Sequence, residues 1–251
     1  MLFRPGGSKE QDPPYNLNML ALLIALAQAP CPPEATRLMA EASVRAEEFD
    51  LPGAADRMRL AASRGCAAAE IAALYLRGLV DARDAFRQGA PPASLAPVRE
   101  AIASLQTIAQ GRPGSAEIAR LLLQAAAAGA QSERDEMALY LDAATVMETL
   151  QRAAGQPGAP VLSTLEVAGD LWLQVYRYID ARRYYMQAVE QNRVTPPVLA
   201  GLARTAARLG IEAVACAEYR TLLDRWGTRE AEPPEIADAR TYLRQPACAS
   251  P

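Results

Sequence analysis

LSTLEVAGDLWLQVYRYIDARRYYMQAVEQNRVT (residues 162–195) runs directly into PPVLAGLARTAARLGIEAVACAEYRTLLDRWGTR (residues 196–229), and each stretch is 34 residues long. Laid over one another, Gly169, Trp172, Tyr178, Ala181, Tyr185 and Ala188 fall on Ala203, Ala206, Glu212, Ala215, Tyr219 and Leu222. Small or aromatic character recurs at most of these places. A period of this length is the mark of stacked helix–turn–helix units. Such units bury their apolar faces against one another and build an extended surface, so the first expectation is a protein that holds another protein.

Composition agrees with helices and narrows the chemistry. The 251 residues are rich in alanine and leucine, contain 6% aromatics, and show no run of alternating β-branched residues, which predicts an all-α chain. The net charge of −3 gives no basic field for nucleic acid, and no aromatic-studded basic stripe is present to stack bases. Histidine is absent and Lys9 is the only lysine. A Ser–His or Cys–His pair therefore cannot form, a histidine-bearing zinc site is excluded, and a phosphate loop with its lysine is missing. The four cysteines, Cys31, Cys66, Cys216 and Cys248, are too scattered for a CxxC site. They permit bridges in an oxidising compartment, but Cys66 and Cys216 lie among alanines and fit equally as small core residues. Neither a metal nor a cofactor is expected. Glu133, Asp135 and Glu136 form the densest acidic group; Ser132 reads as the N-cap before them, which makes them a solvated first helical turn.

The two 34-residue units resemble tetratricopeptide repeats. That family places bulky residues near unit positions 4, 7, 11 and 24 and small ones near 8, 20 and 27. The first unit supplies Leu165, Ala168, Gly169, Trp172, Ala181, Tyr185 and Ala188; the second supplies Leu199, Leu202, Ala203, Ala206, Ala215, Tyr219 and Leu222. Ala206 stands where a large aromatic is usual and Leu222 where a small residue is usual. Residues 54–85 have a similar texture without a clean register. The resemblance implies an α/α superhelical solenoid, irregular in its N-terminal half, in which the first helix of each unit lines a concave face. On that face Glu166, Asp170 and Gln174 lie four residues apart on one helical side, and Arg204 and Arg208 take the equivalent places in the next unit. An acidic ridge beside a basic one suits a peptide carrying both signs of charge. The plainer alternative is an ion pair between Asp170 and Arg204 at the surface. Family members that grip a terminal carboxylate use a lysine and asparagines at these places, and this chain has none. A second concentration, Tyr176, Arg177, Arg183 and Tyr184, has the residue types of a binding hot spot, with Tyr176 and Tyr184 expected at the surface.

Punctuation divides the chain. Residues 1–29 hold Met19–Ala29, an apolar run of secretory-signal length that is too short to span a bilayer. Ala25-Leu26-Ala27 offers a small-x-small cleavage pattern, Met19 is an alternative start, and Gln28-Ala29-Pro30 before Cys31 departs from a lipobox. Leu17–Ala29 reads alternatively as a first packed helix, ending at Pro30 and pairing with residues 34–49. Residues 30–155 form a degenerate helical-repeat region. The Gly/Pro stretch 156–161 is the expected subdomain boundary, 162–245 carries the repeats with a capping helix over 235–243, and 246–251 reads as a disordered tail. The expected function is a non-catalytic protein–protein interaction scaffold or adaptor, exported to a periplasmic or secreted location, with a cytoplasmic location as the alternative. The rival roles are a structural subunit of a larger assembly and a carboxylate-dependent hydrolase. The hydrolase needs two facing acids, one of raised pKa, in an aromatic-lined cleft.

Overall fold

A computed structural model describes residues 31–226 and 232–249. Among the described residues there is no strand, and the all-α expectation holds. Twelve helices follow in order: α1 (Pro33–Glu47), α2 (Leu51–Ser63), α3 (Ala67–Arg87), α4 (Ala96–Gly111), α5 (Ser115–Ala130), α6 (Arg134–Ala153), α7 (Thr164–Gln174), α8 (Tyr178–Glu190), α9 (Pro196–Arg208), α10 (Glu212–Trp226), α11 (Pro234–Leu243) and α12 (Pro246–Ala249). None is long and apolar enough to cross a membrane. The apolar run Met19–Ala29, with its signal-peptide and first-helix readings, lies outside the described residues.

Local chemistry sets the boundaries. Asp50, Ser163 and Thr195 cap α2, α7 and α9, each side-chain oxygen accepting from a backbone N–H three residues on, at 2.8, 3.2 and 3.3 Å. The turn after α1 closes with Phe49 at φ 66°, a left-handed conformation that a bulky residue adopts only when its surroundings hold it there.

Each helix packs on its sequence neighbour, and α3, α5, α7 and α9 also pack each on the next. One core of buried side chains runs from Ala35 to Ala239. The helices approach closely where glycine allows it. A Cβ on Gly78 of α3 would meet Leu123 of α5 at 2.5 Å. The tightest place is the ring of Tyr185 on α8, fully buried between Gly169 of α7 and Gly201 of α9; a Cβ on either glycine would meet the ring at 2.4 or 2.3 Å. Repeat positions read from the sequence as packing residues, Ala181, Tyr185 and Ala188, are all completely buried.

The structure departs from the sequence reading at the tail and at the cap of α6. The Gly/Pro stretch 156–161, expected as a subdomain boundary, is bonded to the helices before it, Ala159 N–H donating to Glu148 at 3.4 Å. Ser115 Oγ donates to the Gly158 carbonyl at 2.7 Å, and Glu148 of α6 accepts from the Thr164 N–H at 2.8 Å while pairing with Arg152. The tail expected to be disordered carries α12, because Cys248 is bridged to Cys216 of α10 and its carbonyl accepts from Arg220 at 2.5 Å. Ser132 is not the cap of α6; it sits at φ 63° in the preceding turn, and Glu133 occupies the cap position. The second bridge, Cys31–Cys66, ties the chain ahead of α1 to the start of α3.

The sandwich around Tyr185 has a measurable consequence. Gly169→Ala and Gly201→Ala each lower stability by about 1–3 kcal/mol, the usual cost of overpacking a filled core, read as a shift of the urea midpoint. Gly111→Ala, where a Cβ meets nothing within 4 Å, is neutral or stabilising by up to about 1 kcal/mol in the same titration.

Candidate functional site

The polar face of α7 is set by its own spacing. With Ser163 capping the helix, Glu166, Asp170 and Gln174 recur every four residues, one above the other. All three line a single cavity of about 280 Å³. Arg204 of α9 and Arg83 of α3 line it from the flanking helices, and Phe49, Leu51, Phe86, Leu173 and Ala200 supply apolar wall. Arg87 and Glu235 stand with them in the lining. The structure thus brings together four of the five residues expected on the concave face. Arg208, the fifth, is exposed and is not among the residues that line the cavity.

The two carboxyls differ in their bonding. Tyr185 Oη donates to Asp170 Oδ1 at 2.5 Å, so the expected surface ion pair with Arg204 gives way to a phenol hydrogen bond at the cavity wall. Burial raises the Asp170 pKa above the ordinary carboxylate range, against the opposing pull of Arg83, the Tyr185 hydrogen bond and Arg204. Glu166 is 4% exposed, and its side chain has one hydrogen-bond partner among the described residues, the Thr195 hydroxyl at 3.4 Å. Burial first, and then the neighbouring Asp170, push its pKa up to about 8; Thr195 and Arg193 pull it down, and Glu47 adds to the rise. At neutral pH Glu166 is therefore mostly an uncharged carboxylic acid, able to donate as well as accept.

A buried acid of raised pKa beside a second acid is part of what the hydrolase reading required. The other part, two carboxyls facing each other across a substrate bond, is not what α7 presents: Glu166 and Asp170 are one helical turn apart on the same face.

The expected hot spot separates into parts. Tyr176 is 68% exposed, with its ring edge-on to Tyr178. Arg177 and Arg183 are exposed; Arg177 lies over the Trp172 ring at 5.8 Å, and both pair with Asp180. Tyr184, expected at the surface, is instead buried, 7% exposed, with its hydroxyl 3.4 Å from Asp142 of α6. It belongs to the packing between α6 and α8, and none of the four lines the cavity.

Sequence reasoning missed Arg83, Phe49 and Phe86. For Arg83 a signal exists: it follows Leu76 and Leu79 at helical spacing, and both leucines are buried, so it is a cation on an otherwise apolar face of α3. In comparison with known proteins, no family model, curated protein or solved structure matches the chain.

The state of Glu166 fixes a pH dependence. Between the unfolded value of 4.5 and the folded value of about 8, the native chain holds a proton that the unfolded chain has released. Stability therefore falls as pH rises across that window, by up to about 1.4 kcal/mol per pH unit, and levels off above it. Glu166→Gln removes this slope, so its Tm gains on the parent between pH 5 and pH 8. An unchanged slope in the variant would overturn the assignment of the proton to Glu166.

Proposed function

We propose that the chain is a non-catalytic scaffold, a superhelical stack of tetratricopeptide-like units that captures a segment of a protein partner in the cavity between α3, α7 and α9. The observation that carries this reading is the convergence of side chains from three helices on one cavity: Glu166, Asp170 and Gln174 from α7, Arg83 from α3 and Arg204 from α9, walled by Phe49 and Phe86. A preformed cavity on packed helices orders little on binding, which preserves affinity for a flexible segment. The row α3, α5, α7 and α9, each packed on the next, supports the solenoid arrangement.

Panning a phage-displayed dodecapeptide library against the full-length, disulfide-intact protein tests the reading. Enriched peptides are expected to lose binding to Gln174→Trp, which fills the cavity from a partly exposed position, while that variant keeps the circular dichroism and Tm of its parent. Peptides that bind the variant equally well would sink the cavity as the capture site.

The two bridges, Cys31–Cys66 and Cys216–Cys248, support export to an oxidising compartment. Protein taken from its native compartment without reductant should then show no maleimide-reactive thiol in denaturant until a reductant is added. Four reactive thiols before reduction would overturn the export reading.

One observation favours the rival role of structural subunit. Leu139, Val146 and Leu150 form an exposed apolar line on α6, at 66, 58 and 65%. That role requires self-association by sedimentation, whereas the scaffold is monomeric with this line solvated.

A further inference from the structure

Two of the three arginines that line the cavity, Arg83 and Arg204, are incomplete. Arg83 and Arg204 are both partly buried, one on α3 and one on α9, on either side of the α7 face. Among the other half-buried arginines, Arg182 forks onto Glu218 at 2.8 and 3.1 Å, Arg120 onto Glu117 and Arg152 onto Glu148, whereas Arg112 and Arg193, among the described residues, are open like Arg83 and Arg204 but lie outside the cavity lining. Arg83 and Arg204 make no ion pair within 4.0 Å and donate no hydrogen bond among the described residues, although both act electrostatically on Asp170. Asp170 is one carboxylate against two guanidinium groups, and one of its oxygens is already taken by Tyr185.

We propose that the cavity receives an acidic side chain, an Asp or Glu of the partner segment, whose carboxylate bridges the Arg83 and Arg204 guanidinium groups. The proposal rests on the scaffold reading above and names the chemistry of its ligand. A guanidinium drawn partly out of water without a partner is costly, and a carboxylate answers it with paired, charge-assisted hydrogen bonds. The remaining charges do not cancel the excess. Glu166 is mostly neutral at pH 7, and the lining residues Arg87 and Glu235 carry opposite signs, Arg87 already pairing with Asp84 at 3.5 Å. The volume of about 280 Å³ suits one or two side chains rather than a large cofactor. Phe49, Phe86, Leu51 and Leu173 offer apolar surface to the stem of the acid and to an apolar neighbour beside it. A basic side chain in the same place would meet two guanidinium groups with only Asp170 to offset them, Glu166 being mostly uncharged.

The test uses the same displayed library, in which every peptide is joined to the coat protein at its C-terminus and offers no free terminal carboxylate. Peptides captured by the full-length protein are expected to share an Asp or Glu next to an apolar residue. A synthetic, end-capped copy of the best of them should bind Arg83→Gln and Arg204→Gln each at least about tenfold more weakly than the parent, the loss usual for one desolvated charged contact. Arg208→Gln, outside the cavity, should bind like the parent. Neither Arg83 nor Arg204 closes an ion pair in the free protein, so both variants should keep its circular dichroism and Tm. A cavity-dependent consensus that is basic or uncharged would overturn the acidic-ligand inference and leave the scaffold standing. Peptides indifferent to both Gln174→Trp and the arginine changes would overturn both.

Discussion

The ring of Tyr185, held between two glycines on two different helices, is the constraint on which the C-terminal half of the molecule depends. Gly169 and Gly201 let α7 and α9 close on the α8 ring from both sides, and no other residue type leaves that room. The hydroxyl at the far end of the ring reaches Asp170 and fixes that carboxyl at the cavity wall. One side chain therefore sets the spacing of the helices and also orients a polar group of the site. Packing and function share an atom list here, so a substitution aimed at one disturbs the other.

The cavity carries a cost that the apolar positions around it do not. Glu166 is drawn inside, with Asp170 half-buried one turn on, on a helix whose other buried positions are Thr164, Leu165, Val167, Ala168, Gly169, Leu171 and Trp172. Burial of a carboxyl with one weak partner is unfavourable, and the chain tolerates it by leaving Glu166 protonated. Apolar residues at both places would make a more stable helix and a sealed core. A helix built instead with acids on one face, in a cavity shared with arginines that close no ion pair, departs from the local consistency of the rest of the core, and the proposed capture role accounts for that departure.

Much of this arrangement was legible from local pattern. The 34-residue period placed Gly169, Ala181, Tyr185 and Ala188 in the packing, and four-residue spacing put Glu166, Asp170 and Gln174 on one face. What periodicity lacks is distance in the chain. Arg83 meets Asp170 only because α3, α5 and α7 pack in a row, and no pattern inside α3 specifies that neighbour. Tyr184 misled because it adjoins exposed Arg183, yet one position along a helix is a turn of about 100 degrees and carries it under α6. Residues 246–249 read as part of a disordered tail because their order comes from a bond to Cys216, thirty-two residues upstream of Cys248.

Those two bridges sit at opposite ends of the stack. A pile of helices held by neighbour contacts comes apart from its outermost members, which have one neighbour instead of two. Among the described residues the first and last members are sewn down: Cys31 to Cys66 at one end, Cys248 to Cys216 at the other. The seam with least covalent help is then in the middle, where residues 154–163 cross from α6 to α7 under the care of Glu148 and Ser115. That seam is also the doorstep of the cavity, since Leu162 forms part of its lining. The stretch with least covalent reinforcement and the edge of the cavity are the same few residues.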